Sequence, residues 1–331
     1  MSCASWKRSN PETPATILIL YPVSADSVVA ESERSRVPKK YRGLLLLLRD
    51  VAVAAALVAL VLLAMYAYTG QWPPLVVIES NSMMHGEDNL SHIGTIDTGD
   101  LVLVQDVDSF ADVVTYTEGC ASGYRTYGDY GDVIVYNPNG NEFVTPIIHR
   151  AMIYLEVNPD GASYRSESLR TLPAVKWSVS NPLDTWDHLT DTIYINNVGY
   201  KGSVVVIDID RLGTPLRSGL ITKGDNNPTI DQPYRSRNIE LGWIVGKARG
   251  EIPWFGLLKL WSTDTLRSNA PENSVRNLWI CLAVIVIVPI LVDIGLTYRE
   301  KRKIAEKRAL SRKTAAGSSS NQNKDKEKDG G

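Results

Sequence analysis

A chain of 331 residues that is 44% hydrophobic can bury one sizeable domain or two small ones, and it is too apolar to be a disordered chain. Its 35 basic and 37 acidic residues leave a formal net charge of −2, with no overall basic excess, and no nucleic-acid partner is expected. The basic residues are unevenly placed, and their placement says more than their sum.

Residues 1–42 read as an N-terminal arm ending in Arg34, Arg36, Lys39, Lys40 and Arg42. From Gly43 the chain is almost wholly apolar, with Val51 to Tyr68 free of charge and Leu44 to Leu48 extending the run past Arg49 and Asp50. At 1.5 Å per residue, a helix over 43–69 is long enough to cross the ~30 Å hydrocarbon core of a bilayer. A cleaved secretory signal is the alternative, but the run is long, begins after the basic arm, and ends without a small-x-small cleavage site. A second apolar run, 277–298, contains Pro289 and Asp293 and also has spanning length. Asp293 lies near the basic end, where a carboxylate can snorkel to the interface. Arg299, Lys301, Arg302, Lys303, Lys307 and Arg308 follow it. By the positive-inside rule both termini face the cytoplasm, which makes this a cell-membrane protein of two spans in contact with the lipid bilayer. Residues 70–262 then lie outside, joined to the second span by a linker over 263–276. The tail, 299–331, is basic and then low in complexity, and no regular structure is expected over its last stretch, "GSSSNQNKDKEKDGG", 317–331.

The outer segment reads as mostly β. The runs "GDLVLVQDV", "GDVIVYNP", "TPIIHRAMIYLEV", "KGSVVVIDID", "SGLITKGD" and "LGWIVGKARG" are short, β-branched and bounded by turn formers. Two insertions interrupt them, at 109–131 and 159–199, the second with a short helix expected near "NPLDTWDHL". The run "EIPWFGLLKLW", Glu251 to Trp261, stands just before the second span and reads as an interfacial segment resting on the bilayer.

Cys3, Cys120 and Cys281 are divided among arm, outer domain and second span, so no intramolecular disulfide is drawn, and Cys120 has no obvious base beside it. No cofactor or metal is implied. The chemistry-bearing residues are a serine cluster, "ESNSMMHG", soon after the first span, a histidine in an apolar strand, "IIHRAM", and an aspartate-rich turn, "ITKGDNNPTID". A serine nucleophile needs a base, a group that holds the base, and donors for the oxyanion.

In this order the motifs resemble those of the type I signal peptidases of the archaeal and endoplasmic-reticulum kind, membrane-bound serine endopeptidases that remove signal peptides. "ESNSMMHG" is similar to their S-x-S-M box, "GDLVLV" and "GDVIVY" to their Gly-Asp strand boxes, and "IIHRAM" to the box where bacterial relatives carry lysine. "ITKGDNNPTID" is similar to their Gly-Asp-Asn box with its following aspartate. The resemblance runs from about Leu44 to Trp261. It implies a signal-peptidase-type β fold, with Ser82 as nucleophile, His149 as general base and Asp231 as the residue holding His149. Asp225 is implied in a supporting role, and which of the two aspartates contacts His149 stays open. Ser80 and the Ser82 backbone N–H are implied as oxyanion donors, and Met83, Val77 and Ile78 as linings of the substrate site.

Two positions depart from the family pattern: Asn81 stands where glycine is common and His85 where proline is common. Asn81 can supply a positive φ in place of glycine, and loss of proline is expected to loosen "MMHGEDNLSHIG". His85 and His92 read as loop residues, because a base so near its nucleophile in sequence rarely reaches it, and His188 has no motif around it.

The implied substrates are preproteins whose signal peptides lie extended at the outer membrane face, and the translocation machinery is a further implied partner. Two other readings are a Ser/Lys dyad using Lys223, and a membrane-anchored β domain that binds exported polypeptides without cleaving them.

Overall fold

The computed structural model describes residues 39–86, 90–263 and 270–326, so the arm to residue 38, most of the expected linker and Cys3 lie outside the described residues. The chain forms two compact units, one ending at Leu60 and one beginning at Val61. In chain order the elements begin with α1 (Lys39–Thr69), β1 (Leu75–Val77), β2 (Leu101–Gln105), α2 (Tyr116–Ser122), β3 (Arg125–Thr126) and β4 (Asp129–Tyr130). They continue with β5 (Val133–Tyr136), β6 (Ile147–Val157), β7 (Tyr164–Arg165), α3 (Glu167–Thr171), β8 (Trp177–Val179) and β9 (Ile193–Val198). β10 (Ser203–Ile207), β11 (Gly219–Lys223), β12 (Ile244–Ile252), α4 (Leu257–Ser262) and α5 (Glu272–Lys326) complete the set.

Among the described residues, Leu44–Thr69 and Glu272–Lys307 are the two helical stretches long and apolar enough to cross a membrane. Leu57, Leu63, Leu291 and Leu296 on them stay 59–62% exposed, a surface suited to lipid rather than water. The helix of the second stretch runs unbroken through Pro289 and onward to Lys326, so the tail departs from the expectation of no regular structure. The Lys, Arg, Glu and Ala of residues 299–316 are good helix formers, and the helix they carry continues through 317–326, although Gly, Ser and Asn there are not.

All six β-branched runs are strands. Five of them join β1 in the main antiparallel sheet, in the order β1-β2-β12-β5-β6-β11 with β1 at the edge, and β7 pairs with the end of β6. β10 pairs only with β9, in a separate β10-β9-β8 sheet, so the second insertion extends beyond its expected end at residue 199. The cause is local: a tight turn at Gly199–Gly202, with left-handed backbone at both glycines, folds β10 back on β9 before it can reach the main sheet. The small sheet shares a core with the main one. Ile193, Ile195, Val205 and Ile207 pack with Met152 and Leu155 of β6, Tyr116 of α2 and Leu169 of α3. Each such side chain contributes about 1.5–3 kcal/mol on burial.

Residues 181–189 hold no helix. The Asp184 carboxylate accepts from the Thr190 and Asp191 N–H groups, at 2.8 and 3.0 Å, and this local bonding competes with helical hydrogen bonds. The helix of this insertion is α3 instead. The first insertion carries α2, opened by a capping box of Thr115 and Glu118.

The segment after β12 is partly core: Leu257 and Leu260 of α4 are buried against Leu278 of α5, while Leu258 and Trp261 remain exposed. Gly99, with φ +98°, lets this segment close, since a Cβ there would meet the Leu257 side chain at 2.5 Å. Beside it Asp100 is fully buried and accepts from the backbone N–H groups of Trp254 and Asp97, both at 2.9 Å. Burial pushes the Asp100 carboxyl up to about 7, against the pull of those two hydrogen bonds, and Asp97 and Glu251 nearby add to the rise. The folded protein thus holds this proton more tightly than the unfolded chain. The associated stability is complete below the ordinary carboxylate value of 3.8 and is lost as pH rises through about 7. Thermal unfolding in detergent is expected to move to lower temperature as pH is raised from 5 to 8, and Asp100→Asn to flatten that dependence.

Candidate active site

The site is assembled by β6 and the loops beside it. β6 lies between β5 and β11, so His149 and Arg150, adjacent in the chain, project to opposite faces of a central strand. His149 is 1% exposed and Arg150 fully buried. β11 pairs Lys223 with Arg150 and delivers the Gly224–Asn227 turn to the same end of the sheet. The Ser80–Met84 turn follows β1, with the Met84 N–H bonded to the Asn81 carbonyl at 3.2 Å.

Three side chains meet in a line. His149 Nε2 lies 2.9 Å from Ser82 Oγ, and His149 Nδ1 lies 2.6 Å from Asp231 Oδ2. A carboxylate can only accept, so Nδ1 carries the proton and Nε2 presents its lone pair to the Ser82 hydroxyl. Asp231 is the direct partner of His149, and Asp225 is not. The same Asp231 oxygen accepts from Tyr136 Oη at 2.9 Å and Thr222 Oγ1 at 2.8 Å, and the Asp231 N–H donates to the Thr222 carbonyl at 2.9 Å. Burial, followed by the Asp231 charge, pushes the Tyr136 phenol far above its ordinary range, so it stays protonated and donates. Ser80 Oγ is 3.2 Å from Ser82 Oγ, on the solvent side of the turn.

Gly224 makes this approach possible. A Cβ there would stand 2.7 Å from the Ser82 carbonyl oxygen and 2.8 Å from His149 Nε2.

Asp225 belongs to a second constellation, with Arg150. Nε and Nη2 of Arg150 grip its two oxygens at 2.8 and 2.6 Å, while Nη1 reaches the carbonyls of Thr126 and Gly131, both at 3.0 Å. Burial alone would raise the Asp225 carboxyl, but the Arg150 charge and hydrogen bonds outweigh it and hold the group well below the usual range. Arg150 was legible as a charge within an apolar strand, a pattern that demands a buried partner. Tyr136 and Thr222 carry no such signal, because their types are ordinary in strands.

The remaining candidates sort as follows. Val77 and Ile78 line a cavity of about 350 Å³ together with Leu75, Glu79, Val135, Pro146 and Ile148. Met83 and Met84 are 1% and 3% exposed and fill the interior beneath the turn, so Met83 is a core residue rather than part of a substrate-facing surface. Lys223 Nζ donates to the carbonyls of Gly224, at 2.9 Å, and Asp225, at 3.4 Å, rather than to Ser82, and burial lowers its pKa. Asn81 keeps a negative φ, so the turn needs no glycine there. His85 is not a free loop residue: Nε2 lies 2.8 Å from Asp225 Oδ2, and its ring stacks on Tyr200 at 4.9 Å between centroids. A side chain with two partners thus stands where a loosened loop was expected. His92 and His188 are exposed.

Removing the Arg150 charge would leave the Asp225 carboxylate buried and unpaired. Arg150→Met is expected to cost about 3–5 kcal/mol of stability, read as a lower denaturation midpoint, whereas Arg165→Met, which breaks an exposed pair with Glu156, is expected to change it by less than about 1 kcal/mol. Compared with known proteins, the chain matches no family model and no curated sequence.

Proposed function

We propose that this protein is a membrane-anchored serine endopeptidase that removes signal peptides from exported preproteins on the outer face of the membrane. The observation that carries the reading is the Ser82–His149–Asp231 alignment, with 2.9 and 2.6 Å between successive heavy atoms and the base almost wholly excluded from water.

In this reading Ser82 Oγ attacks the scissile carbonyl carbon as its proton passes to His149 Nε2. The resulting oxyanion is met by the Ser82 N–H and the Ser80 hydroxyl. His149 then gives the proton to the departing amine, and the C–N bond breaks to leave an acyl ester on Ser82. A water, deprotonated by the same nitrogen, releases the acid and restores the serine. Asp231 holds the imidazole in the needed tautomer and faces the imidazolium charge as it forms, while Tyr136 and Thr222 hold Asp231.

Substrate geometry supports the same reading. β1 is an edge strand with a largely apolar cavity alongside Leu75 to Ile78, so an extended peptide can add beside it. In this reading the small side chains before the cut occupy that cavity at alternate positions. Two spanning-length helices would keep this edge near the bilayer, and the basic residues after the second, Arg299 to Lys307, fit an orientation with that end in the cytoplasm.

Purified protein in detergent is expected to cleave a labelled preprotein at its signal-peptide junction. Ser82→Ala and His149→Ala are each expected to reduce the rate by roughly a thousandfold or more; near-normal cleavage in either would overturn the reading. Gly224→Ala is expected to give a folded protein with strongly reduced kcat, because the added methyl must displace Ser82 or His149. Loss of cleavage in Lys223→Ala with retention in His149→Ala would instead favour a Ser/Lys dyad.

A further inference from the structure

We propose that the tip of the β9–β10 hairpin, Tyr200 and Lys201, is a positioning element that holds the Ser82 turn in register with His149. This rests on the serine-endopeptidase reading and gives the second insertion a part in it.

The Ser80–His85 turn is irregular backbone seated on Met83 and Met84, and apart from the Ser82–His149 contact its hydrogen bonds to the rest of the molecule run largely through two residues of the neighbouring loop. Asn226 takes the Ser82 carbonyl with its backbone N–H at 2.9 Å and the Asn81 carbonyl with Nδ2 at 3.1 Å. Asp225 takes His85 Nε2 at 2.8 Å. The hairpin tip touches both anchors. Tyr200 Oη and Lys201 Nζ donate to Asn226 Oδ1 at 3.1 and 2.8 Å, and the Tyr200 ring lies over His85 with 28° between planes.

The Asn226 contacts decide an orientation. A carboxamide can present either its oxygen or its NH₂ in a given direction. Two donors on one side, one of them an ammonium, require the oxygen to face the hairpin, and the NH₂ is thereby aimed at Asn81. Without the tip Asn226 Oδ1 loses both donors, and the Asn81 carbonyl alone is left to hold the amide in that orientation. On the other side of the turn, His85 is caught between the Tyr200 ring and Gly128, where a Cβ would stand 3.1 Å from the imidazole.

The hairpin is stiff enough to serve. Its strands pair antiparallel with one bulge between Ser203 and Val205, and Ile193, Ile195, Val205 and Ile207 root them in the core at 0–2% exposure. Tyr200 itself is 38% exposed, so its placement is not explained by burial. A shift of the nucleophile by a fraction of an ångström changes kcat far more than it changes ground-state binding, and this distinguishes a positioning role from a substrate contact.

The test is steady-state cleavage of a labelled preprotein by the full-length protein in detergent, with unfolding temperature measured on every variant. Tyr200→Ala and Lys201→Ala are each expected to lower kcat with KM nearly unchanged, the double variant by roughly tenfold or more. Tyr200→Phe, which keeps the ring over His85, is expected to recover most of the Tyr200→Ala loss. Tyr200→Ala added to His85→Ala is expected to cost less than it does alone, since the stack is already gone. Wild-type kcat in the double variant, with Ser82→Ala inactive, would overturn the proposal and leave the peptidase reading intact. A rise in KM at constant kcat would overturn it in favour of a substrate contact. If Tyr200→Ala fails to fold, Lys201→Ala, whose side chain lies at the surface, decides alone. Cleavage by Ser82→Ala, or none by wild type, would overturn both readings.

Discussion

One buried ion pair organises the functional end of this molecule. The Arg150 guanidinium is wholly removed from water and spends its donors on the Asp225 carboxylate and on backbone carbonyls from Thr126 to Gly131. A charge of this kind is tolerated only when every direction is answered. Meeting that condition brings the first insertion, the centre of β6 and the turn after β11 to one place. Because His149 directly precedes Arg150 on β6, the constraint on Arg150 is also a constraint on His149.

The line from Ser82 to Asp231 draws on three separate stretches of chain, and each is held by something other than the line itself. Met83 and Met84 sink the serine turn into the core, β6 is clamped between two neighbours, and Asp231 is tied to Thr222 by main chain and side chain alike. The short contacts therefore do not have to organise the site; they occupy a geometry prepared by packing and backbone pairing. Buried and largely dry, such hydrogen bonds are stronger than they would be in water, and this is the setting in which the proposed proton transfers are favourable.

A polar layer separates the two insertions from being mere ornament. Tyr200 and Lys201 from one donate to Asn226, and the carbonyls of Thr126 and Gly131 from the other accept from Arg150, which in turn grips Asp225. His85 joins them by bonding to Asp225 and stacking on Tyr200. An imidazole there supplies through contacts the rigidity that a proline ring would supply through covalent constraint.

Local pattern alone determined much of this protein. The two long apolar runs specify helices because no other backbone form satisfies its own hydrogen bonds in hydrocarbon, and the alternating β-branched runs specify strands because side chains there point to opposite faces. The serine, histidine and aspartate candidates stood out by type and company. What tertiary structure alone decided depends on which groups meet across long separations. It selected Asp231 over Asp225 for His149, moved β10 out of the main sheet, put Met83 in the core, and drew His85 into contact with Asp225 and Tyr200. The physical reason is that hydrogen-bond partners and burial are properties of three-dimensional neighbours. Periodicity along the chain reports which face a residue occupies, but not what waits on the other side.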